Sequence, residues 1–88
     1  MNFKNMFDLT GKVSLVTGAA TGLGQSMAQA LAAQGSDIVI ADMNLDLAKQ
    51  TAEEIAREYN VQTQALQVNV ANEEQVIAMY DAIIEKFG

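Results

Sequence analysis

Three times along this chain a short apolar run gives way to a stretch of helical periodicity, with brief connections between them. The apolar runs cover 12–17, Ile38-Val39-Ile40-Ala41 and 64–70. The helical stretches cover 22–34, Leu45–Tyr59 and a last segment in which Val76, Met79, Tyr80, Ile83, Ile84 and Phe87 recur on one face. Parallel strands need a crossover of a dozen or more residues, usually helical, so this alternation implies βαβ units with right-handed connections. The expected fold is α/β, a three-stranded parallel sheet in the order 3-2-1 with three helices.

Details of the runs refine that expectation. Ile38-Val39-Ile40-Ala41 is apolar throughout, as a parallel strand covered on both faces should be. The third run alternates, with Leu66, Val68 and Val70 on one side and Ala65, Gln67 and Asn69 on the other, which suits a sheet edge. In the first helix Leu23, Met27, Ala30 and Leu31 form the expected apolar face, and Gly35 stops it. Leu45, Ala48, Ala52, Ile55, Ala56 and Tyr59 share a face of the second helix, with Asn44 as its N-cap. Asn72, followed three residues on by Gln75, resembles a capping box for the third.

Size and charge bound the function. The 88 residues make one small domain, 1–88, whose core is marginal because a chain of this length buries only roughly 60–65% of its unfolded surface. No stretch of about 18 apolar residues is present, so no membrane span is expected. The opening residues show no apolar signal region, and the cytoplasm is the default compartment. There are no cysteines and no histidines, which removes disulfides, the commonest metal ligands and the commonest general base; no metal site is expected. A net charge of −6 argues against a nucleic-acid partner. It permits a single dinucleotide held by backbone donors.

Between the first strand and first helix stands Thr17-Gly18-Ala19-Ala20-Thr21-Gly22-Leu23-Gly24. Glycines at such a strand-to-helix turn let the backbone approach a pyrophosphate, which the helix N-terminus attracts through free N–H groups and its positive dipole end. A glycine-rich turn serving only strand–helix packing is the bland alternative. A P-loop is excluded, because the only Gly-Lys pair, Gly11-Lys12, precedes the strand and is followed by Val13.

The pattern Thr17-Gly18-x-x-x-Gly22-x-Gly24 resembles the cofactor fingerprint of the short-chain dehydrogenase/reductase family. The approach Phe7-Asp8-Leu9-Thr10-Gly11-Lys12-Val13 is similar to the lead-in of its members, among them ones acting on sugar acids such as gluconate. Asp42 ends the second strand, and Asn69-Val70 ends the third, where the family usually has Asp-Val. The resemblance covers the whole chain but only about the first third of a typical member. It implies a Rossmann-like half, truncated before the fourth strand.

Physical roles follow for each position. Gly18 permits the turn off the strand, Gly22 lets the backbone reach the pyrophosphate, and Gly24 lets the helix lie close against the sheet. The resemblance adds Thr21 and the Leu23 backbone along the phosphate and ribose path. Asp42 would accept from the adenosine ribose hydroxyls, and Asn69, beside Val70, from the adenine amino group, more weakly than the family's aspartate. A 2′-phosphate would meet the Asp42 carboxylate with no Lys or Arg between Lys12 and Lys49 to offset it, so NAD is expected over NADP. The plain alternatives are a strand-end carboxylate without a ligand and a polar edge-strand asparagine.

The family's catalytic serine, and its tyrosine followed four residues later by a lysine, have no counterpart here. Tyr59 is followed at that distance by Thr63 and Tyr80 by Ile84. No catalytic residue is therefore assigned, and the chain alone should be inactive. The leading expectation is the NAD-binding segment of an enzyme that interconverts a secondary alcohol and a ketone. The alternative is a non-catalytic half-domain that binds adenine nucleotides or serves in assembly. A bare first strand and uncovered helix faces would also favour self-association.

Overall fold

The computed structural model describes residues 9–18 and 22–87. Three strands, β1 (Val13–Thr17), β2 (Asp37–Asp42) and β3 (Thr63–Gln67), alternate with three helices, α1 (Gly22–Ala33), α2 (Leu45–Tyr59) and α3 (Glu73–Phe87). The sheet is parallel with β2 in the middle, which is the expected order. In register, Val16 lies beside Ile40, and Ile40 beside Ala65.

Strand alternation sends β2 side chains to both faces. Ile38 and Ile40 join Val16 of β1 against the helix side chains Ala28, Ala32, Ala48, Ala52 and Ile55. On the opposite face Ala41 packs with Val68 and Met79, flanked by Leu15, Leu66, Val76 and Ile83. Thus α1 and α2 cover one face and α3 the other. With right-handed crossovers, two helices on one face step the chain outward from β1 to β3. Ligands of open α/β sheets bind in the crevice outside the carboxyl ends of the strands.

Local chemistry fixes the helix ends. The Asn44 side chain accepts the Leu47 N–H at 3.1 Å, and Asn60 closes α2 in the left-handed region at φ 56°. The Asn72 side chain accepts the Gln75 N–H at 3.1 Å. Thr63 joins the layers: its hydroxyl donates to the Ala52 carbonyl at 3.0 Å, and its carbonyl accepts Lys86 Nζ at 2.7 Å.

Three expectations need correction. Leu23 and Met27 do not face the core; they are 78% and 52% exposed, and Ala30 is exposed too. The small residues Ala28 and Ala32 are buried instead, with Leu31 at their edge. Short side chains bring α1 close to the sheet, and that packing outweighs the larger apolar groups on its outer side. On α3, Tyr80 and Ile84 are exposed while Met79 is buried. The third strand ends at Gln67 rather than 70: Val68 still donates to the Asp42 carbonyl at 3.0 Å, but the chain then turns, leaving Val70 63% exposed. Among the described residues no helix is long and apolar enough to cross a membrane.

Candidate functional site

The carboxyl ends of all three strands open onto one groove of about 360 Å³. Thr17 and Gly18 form one wall, Ala41, Asp42 and Met43 the floor, and Val68 and Val70 the other wall. Among the described residues, its one ionisable lining group is Asp42.

At the head of the groove the Gly18 N–H donates to the Ala41 carbonyl at 2.9 Å, carrying the ladder one step past β1. Gly18 sits at φ +66° and Gly22 at φ +61°. A side chain in that left-handed region is strained by roughly 1–2 kcal/mol, so conformation alone selects glycine at both positions. Among the described residues, a Cβ added to either would meet nothing within 4 Å. Gly24 lies half-buried in the first turn of α1, beside the exposed Leu23. Thr21, like 19 and 20, is outside the described residues, as is the lead-in before Leu9.

The first turn of α1 carries no acidic side chain, whereas Asp46 begins α2 and Glu73 and Glu74 begin α3. The free N–H groups and positive end of α1 are therefore not compensated by an acidic side chain of that turn. Positive-φ glycines and an uncompensated dipole at one helix N-terminus suit an anion such as a diphosphate.

Asp42 is the last residue of β2 and half-buried. Its Oδ1 accepts the Asn44 N–H at 2.9 Å, and Asn44 caps α2 in turn. The carboxylate's other oxygen has no partner among the described residues. Asn69 does not line this groove; it lines an adjoining cavity. Its Oδ1 accepts the Ala71 N–H at 3.0 Å, its N–H donates to Gln75 Oε1 at 2.8 Å, and its carbonyl accepts the Asn72 N–H at 2.9 Å.

Sequence reasoning did not single out Met43. Its exposed side chain borders this groove and a neighbouring cavity of about 560 Å³ that reaches Asn69, Gln75 and Met79. The Met43 carbonyl accepts Gln67 Nε2 at 3.1 Å, joining the ends of β2 and β3. Nothing in periodicity marks a methionine at a strand end; only its place directly after Asp42 could have. Neither tyrosine lines the groove. Tyr59 packs at the rim of the first core cluster and Tyr80 is exposed.

Against known families, the model described as short chain dehydrogenase matches residues 12–88. The chain belongs to the short-chain dehydrogenase family. Among relatives of this dehydrogenase chain, the 3-oxoacyl-acyl-carrier-protein reductase of Aquifex aeolicus is 40% identical over 75 residues, which is 85% of this chain and 30% of the relative. An NAD⁺-bound xylitol dehydrogenase superposes with a TM-score of 0.85 at 35% identity, covering 91% of this chain and 30% of that one. The L-sorbose reductase of Gluconobacter frateurii, solved with NADPH and L-sorbose, gives 0.89 at 28% identity, covering 93% of this chain and 31% of that one. This short-chain dehydrogenase chain thus spans about a third of the length of the relatives it matches.

Proposed function

We propose that residues 1–88 form the adenosine-side, NAD-binding part of a dehydrogenase that interconverts a secondary alcohol and a ketone on a sugar, polyol or sugar acid. The observation that carries this reading is one groove at the ends of three parallel strands, with the positive-φ Gly18 at its head and a half-free carboxylate on its floor. Relatives named for xylitol and L-sorbose support the substrate class.

In this reading Gly18, Gly22 and Gly24, with Thr21 and the Leu23 backbone, hold the diphosphate. Asp42 accepts from the adenosine ribose hydroxyls through the oxygen that Asn44 leaves free. Asn69 and Val70 meet the adenine; since Asn69 Oδ1 already accepts from Ala71, only its second lone pair serves the purine. When bound, the nicotinamide supplies the hydride acceptor or donor. The residues of this chain bind and orient, and none moves a proton. NAD is favoured over NADP because a 2′-phosphate would face Asp42. Both cofactors occur among the related structures, so Asp42 rather than family membership supports the preference.

Calorimetric titration with AMP, NAD and NADP tests the reading. AMP and NAD should bind with affinities within about threefold, because the contacts lie on the adenosine side, and NADP should bind more weakly. Tighter binding of NADP would remove the role given to Asp42, and no binding by any of the three would remove the site.

We also infer that the chain self-associates. Val13 on β1 is 40% exposed, and Leu23, Met27, Ile77, Tyr80 and Ile84 are exposed on α1 and α3, more apolar surface than scattered single residues would leave. A stable monomer in sedimentation at tens of micromolar would exclude this.

A further inference from the structure

The turn from β3 into α3 is closed by side-chain amides as much as by backbone. In the usual reciprocal box the glutamine three residues past the N-cap bonds back to the N-cap's own N–H. Here Asn72 Oδ1 accepts the Gln75 N–H at 3.1 Å, but Gln75 Oε1 passes over Asn72 and accepts the Asn69 N–H at 2.8 Å. The Asn72 N–H goes to the Asn69 carbonyl at 2.9 Å, and the Ala71 N–H to Asn69 Oδ1 at 3.0 Å. Every backbone donor of 69–72 is thereby engaged within the turn except that of Val70, which has no partner among the described residues and whose residue borders the groove.

From this geometry we propose that Gln75 is a positioning residue for the purine end of the cofactor. It does not line the strand-end groove. It ties the first turn of α3 to the exit of β3, so that Asn69 and the Val70 N–H are held in place before a ligand arrives. Without that tether the turn keeps its Asn69 and Asn72 bonds but loses its side-chain tie to Asn69 N–H, and the ordering then left to binding would be subtracted from affinity. The proposal rests on the adenosine reading above.

Binding of AMP by the wild-type chain and by Gln75→Ala and Gln75→Glu tests it, together with amide exchange at Asn69. Gln75→Ala should weaken AMP about five- to tenfold, the worth of about one hydrogen bond, and expose the Asn69 amide to exchange. Gln75→Glu keeps an acceptor oxygen at the same reach and should restore affinity to within about threefold, with slow exchange at Asn69. Wild-type affinity in Gln75→Ala overturns the proposal, as does an equal loss in Gln75→Glu with the Asn69 amide still protected. Failure of the wild-type chain itself to bind AMP removes the adenosine reading and this proposal with it, and that arm separates the two failures.

Discussion

Asp42 Oδ1 accepts the backbone N–H of Asn44 at 2.9 Å, so the turn that launches α2 also aims the carboxylate at the end of β2. One oxygen is spent on the turn and the other is left for the groove. In the function proposed above, it is this second oxygen that meets the adenosine ribose and sets the cofactor preference.

That arrangement predicts a preference measurable with fragments of the cofactor. Two like charges about 4 Å apart repel by roughly 1 kcal/mol in water and roughly 4 kcal/mol near a protein surface. AMP should therefore bind at least about fivefold more tightly than adenosine 2′,5′-bisphosphate. Asp42→Asn removes the charge but keeps an oxygen able to accept from Asn44, so the preference should shrink to within about threefold. Calorimetry on both ligands measures it. An unchanged preference in the variant would mean that the discrimination lies elsewhere.

Two glycines should respond differently to alanine. Gly18 sits at φ +66° with no described residue within 4 Å of where a Cβ would go, whereas at Gly35, φ +98°, an added Cβ would stand 2.7 Å from Thr10 Oγ1 and 3.3 Å from the Thr10 nitrogen. Gly18→Ala should lower stability by about 1–2 kcal/mol from backbone strain alone. Gly35→Ala adds overpacking and should lose about 1–3 kcal/mol more. Urea unfolding of both variants ranks them, and the reverse order would contradict the geometry at Gly35.

Much of the fold was legible because period and caps are local. Asn44 as N-cap and the Gly35 stop each depend on residues within one helical turn, and the βαβ alternation is a succession of such local periods. Two corrections have separate physical reasons. Size alone points to Leu23 and Met27 as the buried face of α1, yet close helix–sheet approach selects Ala28 and Ala32. Alternation alone carries the third strand to Val70, but the Asn69 side chain bends the backbone into a turn by taking the Ala71 N–H. At the site, glycines and Asp42 announce themselves by spacing. Met43 does not, and Gln75 does so only as a capping-box partner of Asn72, since its bond across six residues to Asn69 leaves no periodic trace.

The junction of β1 and β2 hides a polar pair. Ser36 has no exposed surface, and its hydroxyl lies 2.7 Å from Ser14 Oγ and 2.8 Å from the Asp37 carbonyl. Ser36→Ala leaves the Ser14 hydroxyl without this partner and should lower stability by about 1–3 kcal/mol. The Ser14→Ala, Ser36→Ala double variant should lose less than the sum of the single changes, by about 1 kcal/mol, when the cycle is closed by urea unfolding. Strict additivity would show that the two hydroxyls do not act together.

Gln64 offers the opposite sign. It pairs in register with the fully buried Val39 and, by alternation with Leu66, lies on the α3 face of β3. Its Oε1 is buried without a hydrogen-bond partner among the described residues. An unsatisfied acceptor of this kind is a standing penalty that a side chain of similar volume without polar atoms removes. Gln64→Leu should therefore raise stability by about 0.5–1 kcal/mol, seen as a higher guanidinium midpoint with an unchanged slope. Gln64→Glu buries a charge at the same place and should lower the midpoint. If the leucine variant were the less stable of the two, the Gln64 amide would have to hold a partner that the described residues do not supply.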